Sequence, residues 1–138
     1  MTKTYSPKIS EIKRDWHLLD AEGQLIGRLS TQAAVFLMGK HKTTFVRHLD
    51  SGDHVVIINC EKIKSTGQKE SQKIYTRHTG WPGGLRQTTL AKLRQDKPQE
   101  ILTHAISGML PDNKLKDRML KHLHLVIGQQ NPYAKYFQ

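Results

Sequence analysis

"HVVIIN", residues 54 to 59, decides the fold. Val55, Val56, Ile57 and Ile58 follow one another without a polar interruption. A strand with one wet face alternates apolar and polar residues; an unbroken β-branched run marks a strand buried on both faces, as in a parallel sheet. Upstream, "DWHLLD" (15–20) reads as a short strand closed by the turn "AEG". From Leu25 the period changes. Ile26, Leu29, Ala33, Phe36 and Leu37 recur at three- and four-residue steps, which predicts a helix ending near Met38 with Gly39 as its stop. Downstream of the buried strand, "STGQKES" reads as a turn, "KIYTR" as a strand and "TTLAKLR" (88–94) as a short helix capped by Thr88. Pro98 suits a first helical position, with Ile101, Leu102, Ala105, Ile106 and Met109 as one apolar face and Pro111 as the break. "NKLKDRMLKHL" predicts a further basic helix, and "HLHLVI" (122–127) a strand ended by Gly128. Strands alternating with helices predict a layered α/β fold with a mainly parallel sheet over residues 15–128. Residues 1–14 form a polar N-terminal arm in this reading, and 129–138 an aromatic C-terminal tail.

The chain has 138 residues, the size of one domain. Its 22 Lys and Arg outnumber 12 Asp and Glu, a net charge of +10 with eight histidines besides. A field of that sign attracts polyanions, nucleic acid foremost. Cys60 is the single cysteine, so no internal disulfide forms, and its place at a strand end marks a small core residue. The sequence shows no apolar run of signal-peptide type or of membrane-span length, so the expectation is a soluble protein of a reducing compartment, with no membrane partner.

Enzymatic signals are weak. Neither a nucleotide P-loop nor a dinucleotide-binding glycine pattern occurs. "GWPGG" (80–84) is a poor phosphate cradle because Pro82 lacks a backbone donor. Asp50 and Asp53 in "DSGD" read as turn formers capping their own backbone rather than as a catalytic pair. His122 and His124 would share a strand face as two metal ligands, but without a third they read as surface or RNA-facing histidines. No cofactor, metal or catalytic residue is expected.

Basic clusters carry more. They occupy 40–48, 62–77, 78–86 and 114–122, in loops or at helix ends beside apolar elements. Cations so placed meet phosphates without burying charge, and Trp81 in "HTGWPGGLR" (78–86) offers a ring for stacking on a base or ribose. The competing readings are a hydrophobic plug for Trp81 and a charged, solubilising hairpin for Lys62 to Arg77.

"WHLLDAEGQLIGRLST" (16–31), "GKHKTTFVRHLDSGDHVVIINCEKI" (39–63), "TG" with Lys69, "RHTGWPGGLR" (77–86) and "GMLPDNKL" (108–115) occur in one order. With them the chain resembles the universal large-subunit ribosomal protein family L-thirteen in its bacterial form, from about Tyr5 to Gly128. The resemblance implies one three-layer α/β/α domain with a parallel sheet, binding to large-subunit ribosomal RNA early in assembly, neighbouring large-subunit proteins, and no catalytic role. It places the protein in the large ribosomal subunit of a bacterial cytoplasm or of an organelle. Arg47 stands where the family usually has proline, Lys116 and Asp117 where it has Gly-Arg, "NPY" (131–133) where it has His-Pro-His, and Trp81 where tyrosine is commoner. The expected RNA contacts are Lys40, His41, Lys42, Arg47, Lys64, Lys69, Arg77, His78, Trp81, Arg86, Lys114 and Arg118. Tyr5, Tyr133, Tyr136 and Phe137 of the arm and tail are expected to order only on the assembled particle. The alternatives are a regulatory RNA-binding protein acting off the ribosome on a messenger RNA, and an RNA-modifying enzyme.

Overall fold

A computed structural model describes residues 5–137. Strands β1 (Trp16–Asp20), β2 (His54–Ile58) and, near the C-terminus, Leu123–Leu125 form a parallel sheet in which β2 is central. Leu18 lies beside Val56, and Val56 beside His124. Val55, Val56 and Ile57 are fully buried, as the unbroken run requires. Helix α1 (Ile26–Met38) crosses over between the first two strands and buries Leu29, Ala33 and Leu37 against the sheet. It closes at Gly39 in the left-handed conformation (φ 77°), where Gly39 and Lys40 donate back to Phe36 and Val35.

After β2 the chain makes a short helix α2 (Lys69–Gln72) where a turn was expected, and then strand β3 (Ile74–His78). The following strand β4 (Leu85–Thr89) pairs with β3 in an antiparallel hairpin. The expected loop through Arg86 is therefore half strand. Because Thr88 is drawn into the ladder opposite Tyr75, the helix cap falls one residue later than expected. Thr89 Oγ1 accepts from the Lys92 N–H at 3.4 Å to open α3 (Leu90–Asp96). Helix α4 (Pro98–Met109) starts on Pro98 and sends Leu102 and Ile106 into the main core. Ile101 packs with Leu90 and Leu93 in a second, smaller cluster. Helix α5 (Lys116–Lys121) is shorter than its sequence pattern suggests and precedes strand β5 (Leu123–Leu125).

Helices α1, α4 and α5 contribute Leu37, Ile106 and Met119 to one core with Val55 and Ile57, on one face of the sheet. The tail covers the other face. Tyr136 stacks on Trp16 at 4.3 Å and the Tyr133 ring lies tilted against His124 at 4.4 Å, so the tail is already seated in the free chain. Cys60 is fully buried, and burial pushes its thiol up to about 11, the state of an inert packing residue.

Candidate nucleic-acid interface

The tip of the β3–β4 hairpin explains the glycine-rich stretch. Gly84 N–H donates to Trp81 C=O at 2.9 Å, closing a four-residue turn with Pro82 and Gly83 at its centre. Proline presets the first central residue, and the second needs the positive φ that Gly83 supplies (71°), the pattern of a type II turn. Thr79 N–H to Gly84 C=O at 3.1 Å and Gly80 N–H to His78 Nδ1 at 3.0 Å fasten the base. The Trp81 ring is left 76% exposed on a hydrogen-bonded tip, which excludes the hydrophobic-plug reading.

Register places Arg77 directly opposite Arg86. Like charges facing each other across a strand pair destabilise it. Neither guanidinium has a carboxylate partner among the described residues. With His78 and Thr79 they line a hollow of about 390 Å³. Two arginines without carboxylate partners thus line one open hollow.

The 39–53 loop is organised differently from the expectation. Asp53 is fully buried, and around it gather Lys42 at Oδ1 with His17 and His41 at Oδ2, at 2.9 and 2.8 Å. Asp50 holds Arg14 and His122, each at 3.2 Å. The two aspartates are thus anchors for cations, not turn formers. Burial pushes the Asp53 carboxyl up, but hydrogen bonds from Lys42, the Asp15 N–H and His17, with the Lys42 charge, outweigh it and leave it below the usual carboxylate value. Lys42 also donates to Lys13 C=O at 2.7 Å and to Ser51 C=O at 3.2 Å, so its ammonium is turned inward. His17, His41 and Asp53 place ligand atoms within 4.8 Å of one another, the spacing of a metal group, and the cation already seated there is Lys42.

With the inner side so tied, Lys40 and Arg47 project outward and share a hollow of about 300 Å³ with Phe45 and Pro111. Arg118 joins His48 and Arg14 in the neighbouring one, and Lys114 is exposed on the loop before α5. Lys64 and Lys69 fall on a third surface, a cleft they share with Arg28 and Lys73. The expected contacts therefore sort into a loop group, a cleft group and a hairpin group, with His41 and Lys42 drawn to Asp53. Arg28 was missed because it sits alone among apolar α1 residues, outside every charge run. Arg94, also basic and in no expected set, serves the fold. It donates to Glu70 Oε1 at 2.6 Å and to Ile63 C=O at 2.6 Å, pinning α2 beside the cleft.

His122 and His124 do not form a strand pair, since β5 begins at Leu123. His124 lies under the tail beside Tyr133, and His54 stacks on Trp16, the ring the tail covers, at 4.3 Å. Burial, then the charges of His122, His124 and Arg14, hold the His54 imidazole below its ordinary value against an opposing pull from Asp53. Burial and His122 do the same to His124. Groups whose folded value lies under the unfolded one stabilise fully above the unfolded value, and that stability is lost as pH falls through the folded one. Acidification from about pH 7 to about pH 5, across the ordinary histidine range, is expected to loosen the tail. Trp16 emission should shift red in that interval, with no such change between about pH 7 and 8.

Among the described residues no helix is long and apolar enough to cross a membrane. The family model for ribosomal protein L13 matches residues 14–132. The chain is 50% identical over 131 residues to the large ribosomal subunit protein uL13 of Dehalococcoides mccartyi, covering 95% of this chain and 92% of that one. The protein of the same description from Nitratidesulfovibrio vulgaris is 50% identical over 132 residues (96% and 92% covered). That of Clostridioides difficile is 46% identical over 132 residues (96% and 92% covered).

Proposed function

The chain belongs to the ribosomal protein L13 family, and from that premise we propose that its hairpin, loop and cleft cations are the surface that grips large-subunit ribosomal RNA. As a family member it is a structural, non-enzymatic constituent of the large ribosomal subunit, with ribosomal RNA and neighbouring subunit proteins as partners. Its workplace is the cytoplasmic ribosome.

The observation that carries the reading is the opposed pair Arg77 and Arg86 under an exposed Trp81. A free protein gains nothing from two facing guanidinium groups; a phosphate between them turns repulsion into two charge-assisted hydrogen bonds. The tip is rigid before RNA arrives, so ordering it costs little on binding. Lys40, Arg47, Lys64, Lys69, Lys114 and Arg118 add exposed positive charge on the neighbouring surfaces, and His78 an exposed ring beside the hairpin tip. Lys42 and His41 act through Asp53, by holding the loop that presents Lys40 and Arg47. Different RNA segments meeting these separate surfaces would be held together by one small rigid body, which is the work of an assembly protein.

Trp81→Ala tests this. Base–aromatic stacking is worth about 1–3 kcal/mol, so affinity for a large-subunit RNA fragment should fall about five- to hundredfold. The ring touches no core, so the thermal melt should not move. Tagged wild-type protein should sediment with large subunits and resist a moderate salt wash. Recovery at the top of the gradient on messenger RNA, or a melt lowered by Trp81→Ala, would contradict the reading.

A further inference from the structure

Between the first turn of α1, the 64–73 stretch and α4 lies a cleft of about 450 Å³. Its apolar lining is Ile26, Ala105 and Met109, and its cations are Arg28, Lys64, Lys69 and Lys73. None of the four rim cations has a carboxylate partner among the described residues. The acid closest in sequence, Glu70, is taken by Arg94 and by Ser65 Oγ at 2.7 Å. Lys69 Nζ donates to Thr66 Oγ1 at 3.1 Å, and Lys73 Nζ sits 5.2 Å from the centre of the Tyr75 ring, at the root of the hairpin.

An apolar floor of ligand size under a ring of unneutralised cations asks for a ligand with one flat apolar part and anionic flanks. We propose that the cleft receives a single unpaired nucleotide of the bound RNA, its base against Ile26, Ala105 and Met109 and its flanking phosphates on Arg28, Lys64, Lys69 and Lys73. The proposal rests on the ribosomal-RNA reading and adds a base-accepting site to it. Splayed-out bases in single-stranded loops are the part of RNA that proteins recognise individually. Met109, 40% exposed and flexible, adapts to a ring of either size. An acidic peptide would satisfy the rim and leave the floor empty. Lys73 joins the cleft to the hairpin, so one strand can run from the Arg77–Arg86 hollow to the pocket.

Gly27 supplies a clean probe. It lines the cleft, and a Cβ built there meets nothing within 4 Å, so Gly27→Leu fills space at the pocket without forcing the helix. Binding of the full-length protein to a fluorescein-labelled UUAUU pentanucleotide would be followed by anisotropy, beside the same oligonucleotide with an abasic centre. Wild type should bind the intact strand at least tenfold more tightly than the abasic one. Gly27→Leu should bring the intact strand down to the abasic affinity and leave the abasic affinity unchanged. Equal affinities of wild type for the two strands would overturn the proposal, whether or not the variant folds. So would an unaffected Gly27→Leu, or displacement of the RNA by an equimolar glutamate decapeptide. Failure of the cleft alone would leave Gly27→Leu entering large subunits normally; failure of the ribosomal reading would be absence of the wild-type chain from those particles.

Discussion

Gly52→Ala is expected to lower stability by about 3 kcal/mol, the upper end of forced overpacking, and to drop the melting temperature by about 10 °C. A Cβ on Gly52 would lie 1.7 Å from the Leu37 carbonyl oxygen and 2.5 Å from its carbon, so backbone and not a side chain has to move. The room to move is small. Gly52 C=O accepts from Arg14 Nη1 at 2.6 Å, and the next residue, Asp53, donates its N–H to Phe36 C=O at 3.0 Å. Displacing this segment also pulls Asp53 away from Lys42, His17 and His41, which unties the loop carrying Lys40 and Arg47. Gly108→Ala is the control: it stands in α4, where an added Cβ meets nothing within 4 Å, and should raise stability by about 0.5–1 kcal/mol. A Gly52→Ala protein melting like wild type would show that α1 and the 50–53 segment are not packed as described.

Replacing Arg77 and Arg86 together by alanine should have the opposite signature. Each charge-assisted hydrogen bond is worth about 1.5–3 kcal/mol, so RNA affinity should fall by at least about a hundredfold. The slope of log affinity against log salt should become shallower by about one, for the single phosphate no longer held between them. The free protein should melt no lower than wild type, because a like-charge pair has been removed from the hairpin. Loss of RNA binding with stability kept separates a binding pair from a structural one. A melt lowered in step with affinity would assign both arginines to the fold.

The parts of this molecule written in apolar periodicity were legible in its sequence. Val55 to Ile58 declared a strand covered on both sides, and Leu29, Ala33 and Leu37 declared the face of α1 that covers it. Strand β4 was not legible, because "LRQTT" has no alternation: Leu85, Arg86 and Gln87 are all exposed, and only pairing with β3 makes them a strand. The same blindness moved the α3 cap from Thr89 to Thr88. The anchors Asp50 and Asp53 were misread for a different reason. In "DSGD" the local pattern is that of a turn, whereas the partners of these aspartates come from Arg14, His17 and His122, far away in the chain. Site residues show the same division. Charge runs located the hairpin, loop and cleft cations, but the inward turn of Lys42 and the contribution of Arg28 are matters of which face a side chain takes, which no run of charges records.

Crosslinking of assembled large subunits with ultraviolet light, followed by mass spectrometry of nucleotide-bearing peptides, tests the central claim most directly. Adducts are predicted within residues 73–89, Trp81 included, and within 64–69. Adducts confined to the tail, residues 129–137, with the hairpin unmodified, would contradict it.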